Sequence, residues 1–217
     1  MAGRIRLSLI KAGILPVLRA LFFRDHFFLL SRETSCMPRL PGPRRVDVVR
    51  AGYPDEWQMR LLAERGEEYW RRFAQGHICF VAKEDDRVIG MEWLKFTRSH
   101  YEELDEFSFD LGNQACWSYD GYVEPRSRMK GVWPALKYAE LLYSRSAGTG
   151  RTFCLVKAAN RNAYSSHLRV GYSPRHEVVF IRVLFFRVHI SRSLRDGIPC
   201  GWNWTFGFGR RDADRSH

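Results

Sequence analysis

From Arg45 onward the hydrophobic residues of this chain switch repeatedly between two periods, and the order of the switches is the strongest restriction on its fold. "RVDVVRAGY" alternates apolar and polar residues, as a short strand does. "PDEWQMRLLAERGEEYWRRFAQG" has the spacing of a helix, with Trp57, Leu61, Leu62, Tyr69 and Phe73 on its apolar side, Asp55 near its start and Gly76 near its end. "HICFVAKEDDRVIGMEWLKF" reads as a hairpin that turns at Glu84–Asp86. A polar loop, "TRSHYEELDEFSFDLGNQ", leads to the strand "ACWSYDGYV" and then to a helix within "YVEPRSRMKGVWPALKYAELL". "RTFCLVKAAN" is a further strand, "RNAYSSHLRVG" a short helix, and "HEVVFIRVLFFRVHI" a long strand or strand pair. A hairpin followed by two strand–helix–strand crossovers predicts an α/β fold with a mixed sheet.

The two ends read differently. Residues 1–50 carry ten Lys/Arg against three Asp/Glu, and apolar stretches there are interrupted by Lys11, Arg19 and Arg24. No span reaches the roughly 20 apolar residues that a membrane-crossing helix needs, and no small-x-small cleavage site follows. The segment predicts a basic helical extension that packs on the main domain, with peripheral membrane contact through residues 1–35 as the second reading. "CMPRLPGPRR" is a linker by its prolines and glycine. These features divide the chain into an extension and linker at 1–44, a main domain at 45–187 and a tail at 188–217. The five cysteines are dispersed, with no CxxC pair, which argues against a disulfide framework and a metal site and for a reducing, cytoplasmic setting. The net charge of +11 favours an anionic partner: nucleic acid, acidic lipid or a polyphosphate.

The stretch Arg128-Met129-Lys130-Gly131-Val132-Trp133 decides which anion to expect. It lies between a strand and a helix, where the first-turn amides have no intrahelical acceptor and the helix dipole is positive. Gly131 leaves the backbone open to an incoming anion, Arg128 and Lys130 add charge, and Pro134 suits a first helical turn. A phosphate-bearing ligand fits that arrangement.

Here the chain resembles the GNAT (GCN5-related N-acetyltransferase) superfamily. Val123, Pro125, Arg128 and Gly131 follow its acyl-CoA motif, a strand ending V-x-P and then [Q/R]-x-x-G-x-[G/A]. Trp133 stands where that family has Gly or Ala, and Met129 where Gly is frequent. Asn160, Ala163, Gly171 and Tyr172 follow a second family pattern, N-x-x-A-x-x-x-Y-x-x-x-G-[F/Y], with His167 in the tyrosine place. The hairpin and the opening strand add to the match, which covers residues 45–187.

The resemblance implies a mixed, mostly antiparallel sheet with flanking helices, whose central strands splay to admit the pantetheine arm of acetyl-CoA or another acyl-CoA. It implies that the backbone of Tyr122 and Val123 holds the arm and the thioester carbonyl. Arg128, Met129, Lys130, Gly131, Val132 and Trp133 would hold the pyrophosphate, with Asn160 and Ala163 completing the site. The reaction would be acyl transfer to a primary amine, without a metal. His167 is the candidate acid, because an ordinary imidazole titrates near neutrality. Asp120 is the candidate base, since a carboxylate in an aromatic strand needs a partner or a task; Glu92 is a weaker one. Two other classes stay open: a basic nucleic-acid-binding protein, and an inactive GNAT-like scaffold at a membrane surface.

Overall fold

The computed structural model describes residues 22–36, 46–63, 68–102, 107–183, 186–195 and 198–208. They form two compact units, one drawn from residues within 30–155 and 162–173, the other from described residues within 22–29, 156–161 and 174–208.

The larger unit is built on strands β2 (Asp47–Arg50), β3 (Ile78–Glu84), β4 (Arg87–Phe96), β7 (Ala115–Val123) and β8 (Arg151 to Leu155 of Arg151–Lys157). Their spatial order is β8-β7-β4-β3-β2. β2, β3, β4 and β7 pair antiparallel, and only β7 with β8 is parallel. This is the mixed, mostly antiparallel sheet expected. The β3–β4 turn falls at Asp85 and Asp86, both with positive φ, where short polar side chains tolerate the left-handed region.

Helices cover both faces because the central strands β3 and β4 bury side chains on both. Met59, Tyr69, Cys79, Val81, Met91 and Trp93 form one core. It is capped by α1 (Glu56–Ala63) and α2 (Tyr69–Ala74). Phe80, Ile89, Leu94, Val123, Val132 and Leu136 form the other, under α3 (Val132–Ser146). The single helix predicted over Pro54–Gly76 is thus two helices, entered through a 3-10 turn at Tyr53–Asp55. The Asp55 carboxylate holds that entry, accepting from the Gly52 amide at 3.0 Å and from Lys83 Nζ at 2.7 Å. Helix α4 (Arg161–Arg169) follows β8. The segment expected to be a loop before β7 contains its own small hairpin, β5 (Ser99–Glu102) with β6 (Phe107–Asp110).

The smaller unit contains β9 (Ser173–Val183), β10 (Phe186–Arg195) and β11 (Ile198–Phe208), joined antiparallel in that order. Two expectations change here. Phe186–Arg195 and Ile198–Phe208 are strands where a tail was expected from residue 188, and Arg192 bonds Glu177 across the β9–β10 pair. Phe22–Glu33 is a strand, β1, and not a helix. Phe27, Leu29, Leu30, Ser31 and Arg32 are all buried, so both faces of the strand are covered and its period-2 signal disappears into a continuous run. The rest of the N-terminal extension, the proposed membrane-contacting residues before 22 and the 37–44 linker lie outside the described residues. Among those described, no helix is long and apolar enough to cross a membrane.

Candidate acyl-donor site

β7 and β8 pair through only three positions, Ala115–Arg151, Cys116–Thr152 and Trp117–Phe153. β7 then runs on to Val123 along β4 alone, with its other edge no longer laddered to β8. A bulge accompanies the parting. The β4–β7 register slips between Met91 and Trp93, so that two residues, Asp120 and Gly121, stand opposite the single Glu92. Asp120 takes the left-handed conformation, φ 52°. A bulge of this kind bends a strand and sharpens its twist. The central strands therefore splay at a defined point.

At the end of that open edge stands the basic turn. Glu124 donates its amide to the Ile89 carbonyl at 2.9 Å and pairs with Arg87 at 2.9 Å. Pro125–Ser127 makes a 3-10 turn. Arg128, Met129 and Lys130 are exposed, and Gly131, with φ 83°, is the residue before α3. An L side chain at that φ costs about 1–2 kcal/mol, which is the local reason for glycine there. Arg128 folds back, its Nε donating to the Val123 carbonyl at 3.0 Å. Val123 is buried by packing under α3, and its carbonyl is already engaged by Arg128. Tyr122, half-buried, lies beneath the Arg128 guanidinium at 5.9 Å. Trp133 is half-buried and meets the His167 ring edge-on at 4.7 Å.

His167 does not have the surroundings of a proton donor. It is buried, and its Nδ1–H donates to the Ala163 carbonyl at 2.8 Å. Burial, with the Lys137 charge behind it, pushes its pKa down to about 3. An imidazole that stays neutral through the physiological range is a poor general acid, because its remaining N–H is very weakly acidic. That environment does not support the acid role expected of His167. Its ring packs against Trp133 and Tyr172. Asn160, at the turn after β8, donates its amide to the Lys157 carbonyl at 2.8 Å and belongs to the smaller unit.

Asp120 is not a bare carboxylate. Arg72 Nη1 donates to its Oδ2 at 2.7 Å, and the guanidinium sits 5.0–5.1 Å from the ring centres of Tyr69, Trp93 and Tyr119. Beside it, the Tyr119 hydroxyl is hydrogen-bonded to His77 Nδ1 at 2.6 Å. Burial lowers the His77 pKa, helped by Lys95 and Arg72, so His77 is held neutral.

The unforeseen feature is a fully buried polar cluster on the α3 side of the bulge. Lys137 Nζ donates to Glu92 Oε1 at 2.7 Å, to Glu140 Oε2 at 2.9 Å and to Ser118 Oγ. Ser118 Oγ lies 2.8 Å from Glu92 and 2.9 Å from Glu140. Glu140 is pushed up to about 7 by its burial, more than Lys137 and the hydrogen bonds pull it down. Lys137 is raised because its two carboxylate neighbours outweigh its desolvation. Glu140 therefore gains and loses its proton close to neutrality, unlike an ordinary carboxylate. Glu92 thus has a structural partnership in place of the exposed face that would make it a base. Lys137 and Glu140 leave one trace in the sequence: charges three apart on the apolar side of a helix. Arg72 and His77 leave none.

Comparison with known proteins agrees with this geometry. No family model matches the chain. The mycothiol acetyltransferase of Rhodococcus jostii (strain RHA1) is 29% identical over 146 residues, 65% of this chain and 45% of that protein. The one from Nocardia farcinica (strain IFM 10152) is 24% identical over 120 residues, 55% and 36%. The chain thus spans less than half the length of these curated relatives. Among solved structures, a GNAT-family acetyltransferase from Novosphingobium aromaticivorans aligns with a TM-score of 0.53 at 15% identity, over 72% of this chain and 62% of that one. A GCN5-related N-acetyltransferase from Kribbella flavida aligns with a TM-score of 0.50 at 13% identity, over 76% and 60%. The chain thus shares the fold of these GCN5-related N-acetyltransferases.

Proposed function

We propose that the chain is an acyl-CoA-dependent N-acyltransferase, with acetyl-CoA as its default donor and a primary amine as acceptor. The observation that carries this reading is the ending of the β7–β8 ladder at Trp117–Phe153, with the Gly131 turn standing at the far end of the same open strand. An extended pantetheine arm can add to an open strand edge by backbone hydrogen bonds, and a diphosphate can settle on the amides and cations of residues 128–133. The acetyltransferase names of the sequence relatives and fold neighbours point the same way.

In this reading the amine nitrogen attacks the thioester carbonyl. The C–N bond forms as the C–S bond breaks, and the oxyanion is met by strand amides around Tyr122. The amine must shed a proton. Asp120, oriented by Arg72, and the neutral His77 hydrogen-bonded to Tyr119 are the groups beside the bulge with acceptor capacity. The departing thiolate takes up a proton from solvent rather than from His167. The reaction is placed in a reducing, cytoplasmic compartment, on the dispersed spacing of the cysteines in the sequence.

Thiol release across a panel of amines and acyl-CoAs, with calorimetric titration of acetyl-CoA, tests the proposal. Gly131→Glu adds bulk, backbone strain and a negative charge where the diphosphate would sit. It should weaken acetyl-CoA binding at least about 30-fold, roughly 2 kcal/mol. Unchanged affinity would remove the phosphate site, and a folded wild type that binds no coenzyme A would remove the function.

A further inference from the structure

We infer that the buried Glu92–Ser118–Lys137–Glu140 cluster is a positioning device that keeps the β7 edge open for the acyl donor; the inference deepens the proposed function and rests on it.

The cluster sits where the sheet changes its behaviour. Ser118 is the residue directly after Trp117, the last one laddered to β8. Its hydroxyl is bound to Lys137 and Glu140 of α3 and to Glu92 of β4, so the strand is tied to both neighbours just as it leaves β8. Glu92 then reaches across the bulge. A Cβ placed on Gly121 would lie 2.2 Å from Glu92 Oε2, so the carboxylate rests directly against the Gly121 backbone. The bulge is held on one side by Ser118 and on the other by Glu92, and Lys137 joins the two. Glu92, Lys137 and Glu140 are 3%, 0% and 0% exposed, and nothing in their surroundings is a solvent-facing task.

A cluster of this kind is a poor way to gain stability. Desolvating three ionisable groups costs about what their attraction returns, and apolar residues of similar volume commonly serve as well or better. What apolar residues cannot supply is direction. Three ammonium donors and the two carboxylates fix Ser118 and Gly121 relative to α3, whereas an apolar patch would allow β7 to straighten and extend its parallel ladder to β8. Glu92 Oε2 and Glu140 Oε1 have no hydrogen-bond partner among the described residues, so even the remaining polar capacity is given up for that geometry.

The test is a triple replacement, Glu92→Leu with Lys137→Met and Glu140→Leu, compared with wild type by amide hydrogen exchange without ligand. In wild type, some amides from Ser118 to Val123 should exchange quickly and become protected on adding acetyl-CoA. The variant should keep or raise its melting temperature. It should gain protection at those amides without ligand, and lose at least about 30-fold in acetyl-CoA affinity while its amine KM changes little. Ser118→Ala leaves the charges paired and should move exchange and affinity the same way by a smaller amount, which serves if the triple variant does not fold. Wild-type exchange and wild-type affinity in a folded variant would overturn the inference. Exchange that changes as expected in a protein that binds no coenzyme A at all would instead leave the device standing and remove the acyltransferase reading.

Discussion

His167 shows how little a residue type says before its neighbours are known. Its sequence position suggested a group titrating near neutrality, whereas burial against Trp133, Tyr172 and the Lys137 charge holds it neutral down to about pH 3. The sign of the consequence follows. A histidine with a folded pKa below its unfolded value of about 6.5 contributes stability above that value, and the contribution is lost as pH falls toward the folded pKa. Wild type should therefore lose stability relative to His167→Gln between about pH 6.5 and 3, by up to about 1.4 kcal/mol per unit. Denaturant titrations of both proteins at a series of pH values measure it, and parallel curves would contradict the burial. Gly121 makes the complementary point about space. Alanine there would drive a methyl into the Glu92 carboxylate and should destabilise by about 1–3 kcal/mol through overpacking, read as a shift in denaturation midpoint.

Among the elements, α3 carries two unlike tasks on one helix. Its first residues continue directly from the basic turn, while Lys137 and Glu140, one turn apart on the inner side, reach into the sheet. Removing the lysine alone strands two buried carboxylates. Lys137→Met should therefore cost about 3–5 kcal/mol, far more than the triple replacement that removes the carboxylates with it. The penalty should grow as pH rises through about 7, because Glu140, whose folded pKa is raised, favours folding only while it holds its proton. Stability of the single and triple variants at pH 6 and pH 8 checks both statements. Strand β1 taught the opposite lesson about legibility: burial on both faces gave it a helix-like apolar run, and pairing with neighbours distant in sequence made it a strand.

For the molecule as a whole, ligand binding is the plainest readout. If acetyl-CoA binds the folded state, a concentration of one hundred times its Kd should add about 2.7 kcal/mol of stability and raise the melting temperature by several degrees. The same experiment with an oligonucleotide should give no such rise, since the basic residues described around the site, Arg128 and Lys130, cluster at one helix start rather than along a groove.

Local chemistry determined a good part of this protein. The β3–β4 hairpin, the strand-to-helix turn around Gly131 and the β7–α3–β8–α4 succession were legible because each depends on residues close together in the chain, on side-chain period and on backbone permissiveness. The tertiary structure alone decided that β7 leaves β8 after Trp117, that Arg72 takes the Asp120 carboxylate, and that Glu92, Ser118, Lys137 and Glu140 meet. Those facts join residues up to 48 apart. Pairing across such distances is selected by the packing of the folded chain, and short-range pattern carries no record of it.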